Sequence, residues 1–202
     1  MEDLFRSTKV EKIYLCRHGA TEWTESKRHT GRTDIALTKK GEHEARQLGS
    51  FLRGIDFDHV LCSPLKRVRA TCHLAGFDDE QVILDDGLLE WDYGEYEGIT
   101  SKEIHEKDPG WTVFNKDPPG GESSLQVQHR VDQMFERISK LSGTIALFGS
   151  GHISRVIGAR WVMMPVSFGQ HLLLSTASKS ILSFEHGYRV INLWNDTSHI
   201  KS

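Results

Sequence analysis

Four points in the 202-residue sequence set a chemically useful side chain directly after a short apolar run. Arg17 and His18 follow residues 12–16, Ser63 and then Arg67 follow residues 57–62, Glu90 follows residues 81–84, and Ser150, His152 and Arg155 follow residues 144–148. In an open α/β sheet ligands bind beyond the carboxyl ends of the strands, so these side chains are expected to meet in one place. Arginine forks match phosphate oxygens, and a histidine can act as nucleophile or base near neutral pH. A carboxyl group completes the set, which suits phosphoryl transfer.

The elements that must position these groups can be read along the chain. Apolar runs alternate with helical patterns, which predicts an α/β fold: a three-layer αβα sandwich with a mostly parallel central sheet. Thr38 caps a helix that turns Ala45, Leu48 and Leu52 inward and ends near Gly54. Pro64 suits the first position of the next helix, which runs through Cys72. Thr100 with Glu103 and Ser123 with Gln126 form capping boxes, the second opening a helix with Leu125, Val131, Met134, Phe135, Ile138 and Leu141 on its apolar face. A further helix runs from the fourth strand to about Met163, and residues 181–184 and 189–194 read as a hairpin around His186-Gly187. Residues 108–122 form a long Pro- and Gly-rich loop, with Trp111 and Phe114 evenly balanced between core packing and a substrate lid.

Bulk properties narrow the partners. The length and the 38% hydrophobic content fit a single domain over 1–202, with residues 1–10 expected as a flexible extension. A net charge of -3 gives no basic field for nucleic acid or an anionic membrane, so a small anionic ligand gripped by a local arginine cluster is expected. No membrane span or signal peptide is recognisable, so the expected location is cytoplasmic. Cys16, Cys62 and Cys72 are an odd number without C-x-x-C spacing and read as reduced packing residues. His43, His59, His73, His129 and His199 share no ligand spacing, and no metal site is expected. The hairpin edge offers a possible surface for a homodimer.

In order along the chain stand Arg17-His18-Gly19, Thr21-Glu22-Trp23, Thr30-Gly31, Leu37-Thr38-x-x-Gly41, Ser63-Pro64-Leu65-x-Arg67, Leu89-Glu90 and Tyr96-Glu97-Gly98. With these motifs the chain resembles the histidine phosphatase superfamily, the phosphoglycerate mutase-like proteins and their phosphatase relatives. Glu90-Trp91-Asp92-Tyr93-Gly94 and Gly151-His152-x-x-Arg155 are similar to the branch of small acid phosphatases and sedoheptulose-bisphosphatase-like enzymes. The resemblance implies that His18 attacks phosphorus to form a phosphohistidine, that Arg17 and Arg67 hold the phosphoryl oxygens, and that Glu90 protonates the leaving alkoxide and then activates water. No metal or other cofactor is implied. Ser150 and Gly151 would line the phosphate site, Glu22 and Thr33 would touch substrate at the rim, and Arg28 and Arg32 would reach a second phosphate or carboxylate.

One position departs from that pattern. Alignment on Gly151 and Arg155 puts Ser150 where the family carries a second histidine, which donates a hydrogen bond to the transferring group. Three explanations stand: an engineered inactive variant, His152 substituting for the missing ring, or a natural protein that works with serine. The function expected is phosphomonoester hydrolysis on a small phosphorylated metabolite, such as a sugar phosphate. Its alternatives are mutase-type phosphoryl transfer and a catalytically impaired phospholigand-binding protein.

Overall fold

The computed structural model describes residues 4–201. Four parallel strands, β1 (Lys9–Arg17), β2 (His59–Cys62), β3 (Val82–Leu84) and β4 (Ser142–Gly149), are joined by an antiparallel pair, β5 (Lys179–Glu185) and β6 (Tyr188–Asp196). The spatial order is β3-β2-β4-β1-β5-β6. The described residues also form six α-helices: α1 (Glu22–Glu25), α2 (Lys39–Leu52), α3 (Lys66–Leu74), α4 (Ser101–Lys107), α5 (Ser124–Ile138) and α6 (Gly151–Trp161).

The period-2 alternation of strand side chains divides the interior into two cores. Tyr14 and Cys16 of β1, Ala146 and Phe148 of β4, and Val60 and Cys62 of β2 pack against Leu48 and Leu52 of α2 and Val68 and Cys72 of α3. Their neighbours Ile13, Leu15, Ile145, Leu147 and Leu61 face the opposite side, against Val131, Met134 and Phe135 of α5 and Ile153, Val156 and Ile157 of α6. This produces the expected three layers, helix on sheet on helix. The parallel register pairs Cys16 with Phe148 and Arg17 with Gly149, so β1 and β4 end level and deliver His18 and Ser150 to the same edge of the sheet.

Several local expectations are corrected. Helix α3 begins at Lys66 rather than Pro64, because the N–H of Ser63 is still committed across the sheet to the Phe148 carbonyl and the chain turns only afterwards. Leu125 is 74% exposed, and Val127 takes the inward position at the start of α5. The expected N-terminal extension is ordered from Phe5, whose ring is buried against Phe135 and Trp161; β1 already starts at Lys9, and residues 1–3 lie outside the described part. Trp111, Val113 and Phe114 are buried, so the long loop packs into the core.

Gly41 shows why the Leu37-Thr38-x-x-Gly41 pattern matters. The Ala20 carbonyl accepts the N–H and the hydroxyl of Thr38, the residue that caps α2. A Cβ on Gly41 would sit 2.0 Å from that carbonyl oxygen, and one on Gly19 would sit 2.2 Å from the Gly41 carbonyl oxygen. The start of α2 and the loop after His18 therefore interlock backbone to backbone. Gly41→Ala is expected to lower the denaturant midpoint by the equivalent of about 1–3 kcal/mol, as overpacking does, while Lys39→Ala on the exposed side leaves it nearly unchanged. Equal midpoints for the two variants in urea titrations would refute the interlock.

Candidate active site

His18 is 3% exposed at the end of β1, with its N–H on the Gly149 carbonyl at 3.0 Å. Its Nδ1 lies 2.7 Å from the Gly19 carbonyl oxygen. A carbonyl only accepts, so Nδ1 carries the ring proton and Nε2 keeps its lone pair. Burial, followed by the charges of Arg67 and Arg17, holds the imidazole pKa well below its ordinary value. The ring is thus a neutral base of defined tautomer, the form a nucleophile requires.

Two guanidinium groups flank it. Arg17 donates to the Leu174 carbonyl through one terminal nitrogen, and its Nε is buried without an acceptor. A Cβ on Gly151 would lie 3.3 Å from this guanidinium, so glycine leaves room for its close approach. Arg67 is fully buried and donates to the carbonyls of Thr33 (2.9 Å), Gly31 (2.8 Å) and Thr30 (3.2 Å), again with Nε unpartnered. Three of its four terminal N–H groups therefore hold the loop over residues 30–33, and its buried Nε has no partner.

Glu90 is 3% exposed, and its carboxylate spans two segments of chain. Oε1 accepts the backbone N–H of Trp91 (2.9 Å) and Ile153 (2.8 Å), and Oε2 accepts that of His152 (2.9 Å). Residues 152 and 153 form the first turn of α6, whose orphan N–H groups need an acceptor. The N-cap residue, Ser150, does not supply one: its hydroxyl is buried and has no partner.

These groups border a cleft of about 190 Å³ lined by Arg17, His18, Lys27, Arg28, Glu90, Tyr93, Gly151, His152 and Arg155, with Thr24, His29, Thr30 and Leu174 completing the wall. Four permanent cations face one carboxylate, so the cleft favours an anion. A profile of the histidine phosphatase superfamily (branch 1) matches residues 13–197. The chain belongs to this superfamily. It is 40% identical over 193 residues to an acid phosphatase of Mycobacterium tuberculosis, covering 93% of this chain and 94% of that one. Sedoheptulose 1,7-bisphosphatase of Saccharomyces cerevisiae is 32% identical over 181 residues, covering 74% of this chain and 67% of that one. The solved structure of an open reading frame product from Mycobacterium tuberculosis superimposes with a TM-score of 0.84 at 36% identity, covering 92% and 97% of the two chains.

Within this phosphatase the anticipated residues do not all reach the cleft. Arg17, His18, Arg28, Glu90 and Gly151 line it, and Arg67, whose charge acts on His18, is fully buried and not part of the wall. Glu22 is exposed on α1 and is not part of the wall. The backbone of Thr33 is spent in scaffolding, its N–H on Glu97 Oε1 at 2.9 Å and its carbonyl on Arg67. Arg32 faces Glu122 at 3.6 Å, and Arg28 donates to the Gly98 carbonyl at 2.6 Å. Ser150 is buried next to the wall without lining it.

His29, Lys27 and Leu174 line the cleft although their spacing gave no signal, and Tyr93, quoted only as part of a motif, joins them. Leu174 arrives through a support that is invisible in local sequence. Lys179, 1% exposed, donates to Asp196 Oδ2 at 2.8 Å and to His199 Nδ1 at 3.1 Å, and its ammonium lies 3.7 Å over the Phe51 ring. An ammonium only donates, so His199 accepts at Nδ1 and donates from Nε2 to the Ala177 carbonyl at 3.0 Å. Ala177, held at a φ of 47°, in turn donates to the His18 carbonyl at 2.9 Å. A C-terminal clamp thereby fixes the loop that receives Arg17.

Burial also holds the pKa of His152 well below normal, lowers that of His199, and brings His29 down to about 4. The unfolded chain protonates these histidines, and His18, near pH 6.5, while the folded chain does not. Below that pH the unfolded state binds more protons, so their contribution to stability is complete above about pH 6.5 and is lost as pH falls, for His29 between about 6.5 and 4. Denaturant midpoints should decline steadily from pH 7.5 to pH 4.5, with a shallower slope in His29→Gln. A midpoint independent of pH would contradict neutral buried imidazoles.

Proposed function

We propose that this phosphatase hydrolyses the phosphomonoester of a small metabolite through a phosphohistidine at His18. The observation that carries the reading is the buried neutral His18, its proton on Nδ1 and its Nε2 lone pair free, between two guanidinium groups. Nε2 attacks phosphorus, the ester P–O bond breaks, and the leaving alkoxide takes a proton from Glu90. Water then attacks phosphorus, the P–N bond breaks, and the water proton passes to Glu90. Each carboxylate oxygen has two lone pairs, and Oε2 accepts a single amide, which leaves it one position for the proton in transit. The unpartnered Nε groups of Arg17 and Arg67 supply donors for the phosphoryl oxygens. The sequence chemistry and the phosphatase names of the relatives support the same assignment.

Ser150 leaves the phosphoryl group without the imidazole donor expected from the family pattern. Loss of one such donor costs on the order of 10²- to 10³-fold in turnover. A specific observation therefore favours a second reading, a binding protein of low turnover: the serine hydroxyl is short and lies outside the cleft wall.

Steady-state release of phosphate from a generic phosphomonoester decides between them. The hydrolase reading expects His18→Ala to lose at least about 10³-fold in kcat and an acid-labile phosphoenzyme to be trapped in the parent chain but not in the variant. Binding of inorganic phosphate without His18-dependent turnover would replace it with the second reading. Ser150→His is expected to raise kcat tenfold or more if the serine limits the reaction; an unchanged kcat would show that the serine site works as it stands.

A further inference from the structure

Ser150 is buried and lies outside the cleft wall, but the same turn of α6 brings a second imidazole into that wall. His152 lines the cleft together with Arg17, His18, Glu90 and Tyr93. Its backbone N–H is taken by Glu90 Oε2 at 2.9 Å, and its Nδ1 is hydrogen-bonded to the Tyr93 hydroxyl. The rings of Phe114, Tyr93 and His29 surround it at 5.4, 5.8 and 6.1 Å between centres. Nε2 has no hydrogen-bond partner among the described residues. The ring also borders a second cavity of about 410 Å³, yet Arg17, which lines the cleft and not that cavity, is near enough for its charge to act on His152.

The hydrogen bond to Tyr93 decides which nitrogen carries the proton. Burial, followed by the charges of Arg155, His29 and Arg17, holds the His152 pKa well below its ordinary value, so the ring is neutral and has a single proton. Burial, followed by the charges of Glu90 and Glu97, pushes the Tyr93 phenol well above its ordinary pKa, so it keeps its proton too. Between a phenol and a neutral imidazole the stronger acid donates and the stronger base accepts, so the Tyr93 O–H donates to Nδ1. The bond made by one ring nitrogen sets the state of the other, and Nε2 therefore carries the proton. His18 has the opposite assignment, with its proton on Nδ1. One cleft thus holds an imidazole able to attack and an imidazole able to donate.

We infer that His152 is a further catalytic residue, whose Nε2–H donates a hydrogen bond to a non-bridging phosphoryl oxygen during transfer, and that Tyr93 is the positioning residue that keeps the proton there. This rests on the phosphomonoester reading of the cleft and supplies the donor that Ser150 does not. The proton stays on His152 throughout, so protonation of the leaving group remains with Glu90. His152 joins the unpartnered Nε groups of Arg17 and Arg67 as a donor for the charge spread over the phosphoryl oxygens.

Nitrogen-15 NMR of the full chain reads the tautomer without turnover and should place the His152 proton on Nε2; a proton on Nδ1 would overturn the inference. In steady-state assays His152→Ala is expected to lower kcat on the order of 10²- to 10³-fold with little change in KM, and His152→Gln, which retains an amide N–H, to keep about tenfold more activity than the alanine variant. Tyr93→Phe should lower kcat about tenfold in the parent and have no further effect once His152 is alanine, because the phenol acts through the ring. Ser150→His should restore about tenfold or more in the His152→Ala background and add less in the parent, where the donor is already present. A His152→Ala loss below about threefold, equal activity of the alanine and glutamine variants, or an equal gain from Ser150→His in both backgrounds would each overturn the donor. Vanadate, a stable mimic of five-coordinate phosphorus, separates this result from the phosphate reading itself. Binding to the parent about tenfold tighter than to His152→Ala supports the donor even where turnover is low. Equal binding would overturn the donor and leave the phosphate site standing, and failure of vanadate and inorganic phosphate alike to bind the parent would remove both.

Discussion

Two guanidinium groups are held beside a neutral imidazole at the end of a parallel sheet, and the rest of the molecule is arranged around that demand. A buried cation needs acceptors, and charge away from water is tolerated only when it is hydrogen-bonded or paired. Arg67 takes three carbonyls from residues 30–33. Glu97 then fixes that loop by accepting the N–H groups of Gly31 and Thr33. Arg17 takes a carbonyl from a loop more than 150 residues away, which the Lys179 clamp keeps in place. The charges that make the cleft cationic are the same charges that order its walls.

Glu90 connects this arrangement to the far helical layer. Its carboxylate accepts from the first turn of α6 and from its own neighbour Trp91, so the third strand's loop and the fourth strand's helix meet in one side chain. A carboxylate anchored at both oxygens in this way is held in place without any flexible arm. Preorganisation of this kind lets donors and acceptors act without rearranging during the reaction.

Much of the site was legible in the sequence because strands impose position strongly. An apolar run of fixed period followed by a polar residue places that residue at a sheet edge, and Arg17, His18, Glu90, His152 and Arg155 were all singled out by this rule, while Gly151 came from the family resemblance. The rule fails where position comes from long-range tethering. Leu174 enters the cleft on a loop fixed by Lys179, Asp196 and His199, and His29 enters because residues 28–29 pair with residues 98–100 through backbone bonds. Glu22 and Thr33 were placed by motif order alone, and the motif turned out to serve the loop's own hydrogen bonding. Leu125 and Phe5 were misread for a related reason: periodicity near a helix start and composition near a chain end do not report which side a neighbouring layer covers.

The capping of α6 has one more consequence. Because Glu90 satisfies the first turn of this helix, residue 150 is relieved of the task an N-cap side chain normally performs, and its hydroxyl engages nothing. The hydroxyl at position 150 is thereby uncoupled from the capping of the helix, although the residue itself is fully buried. A change of side chain at this wall therefore has to satisfy packing alone, because the first turn of the helix keeps its acceptor whatever residue 150 carries.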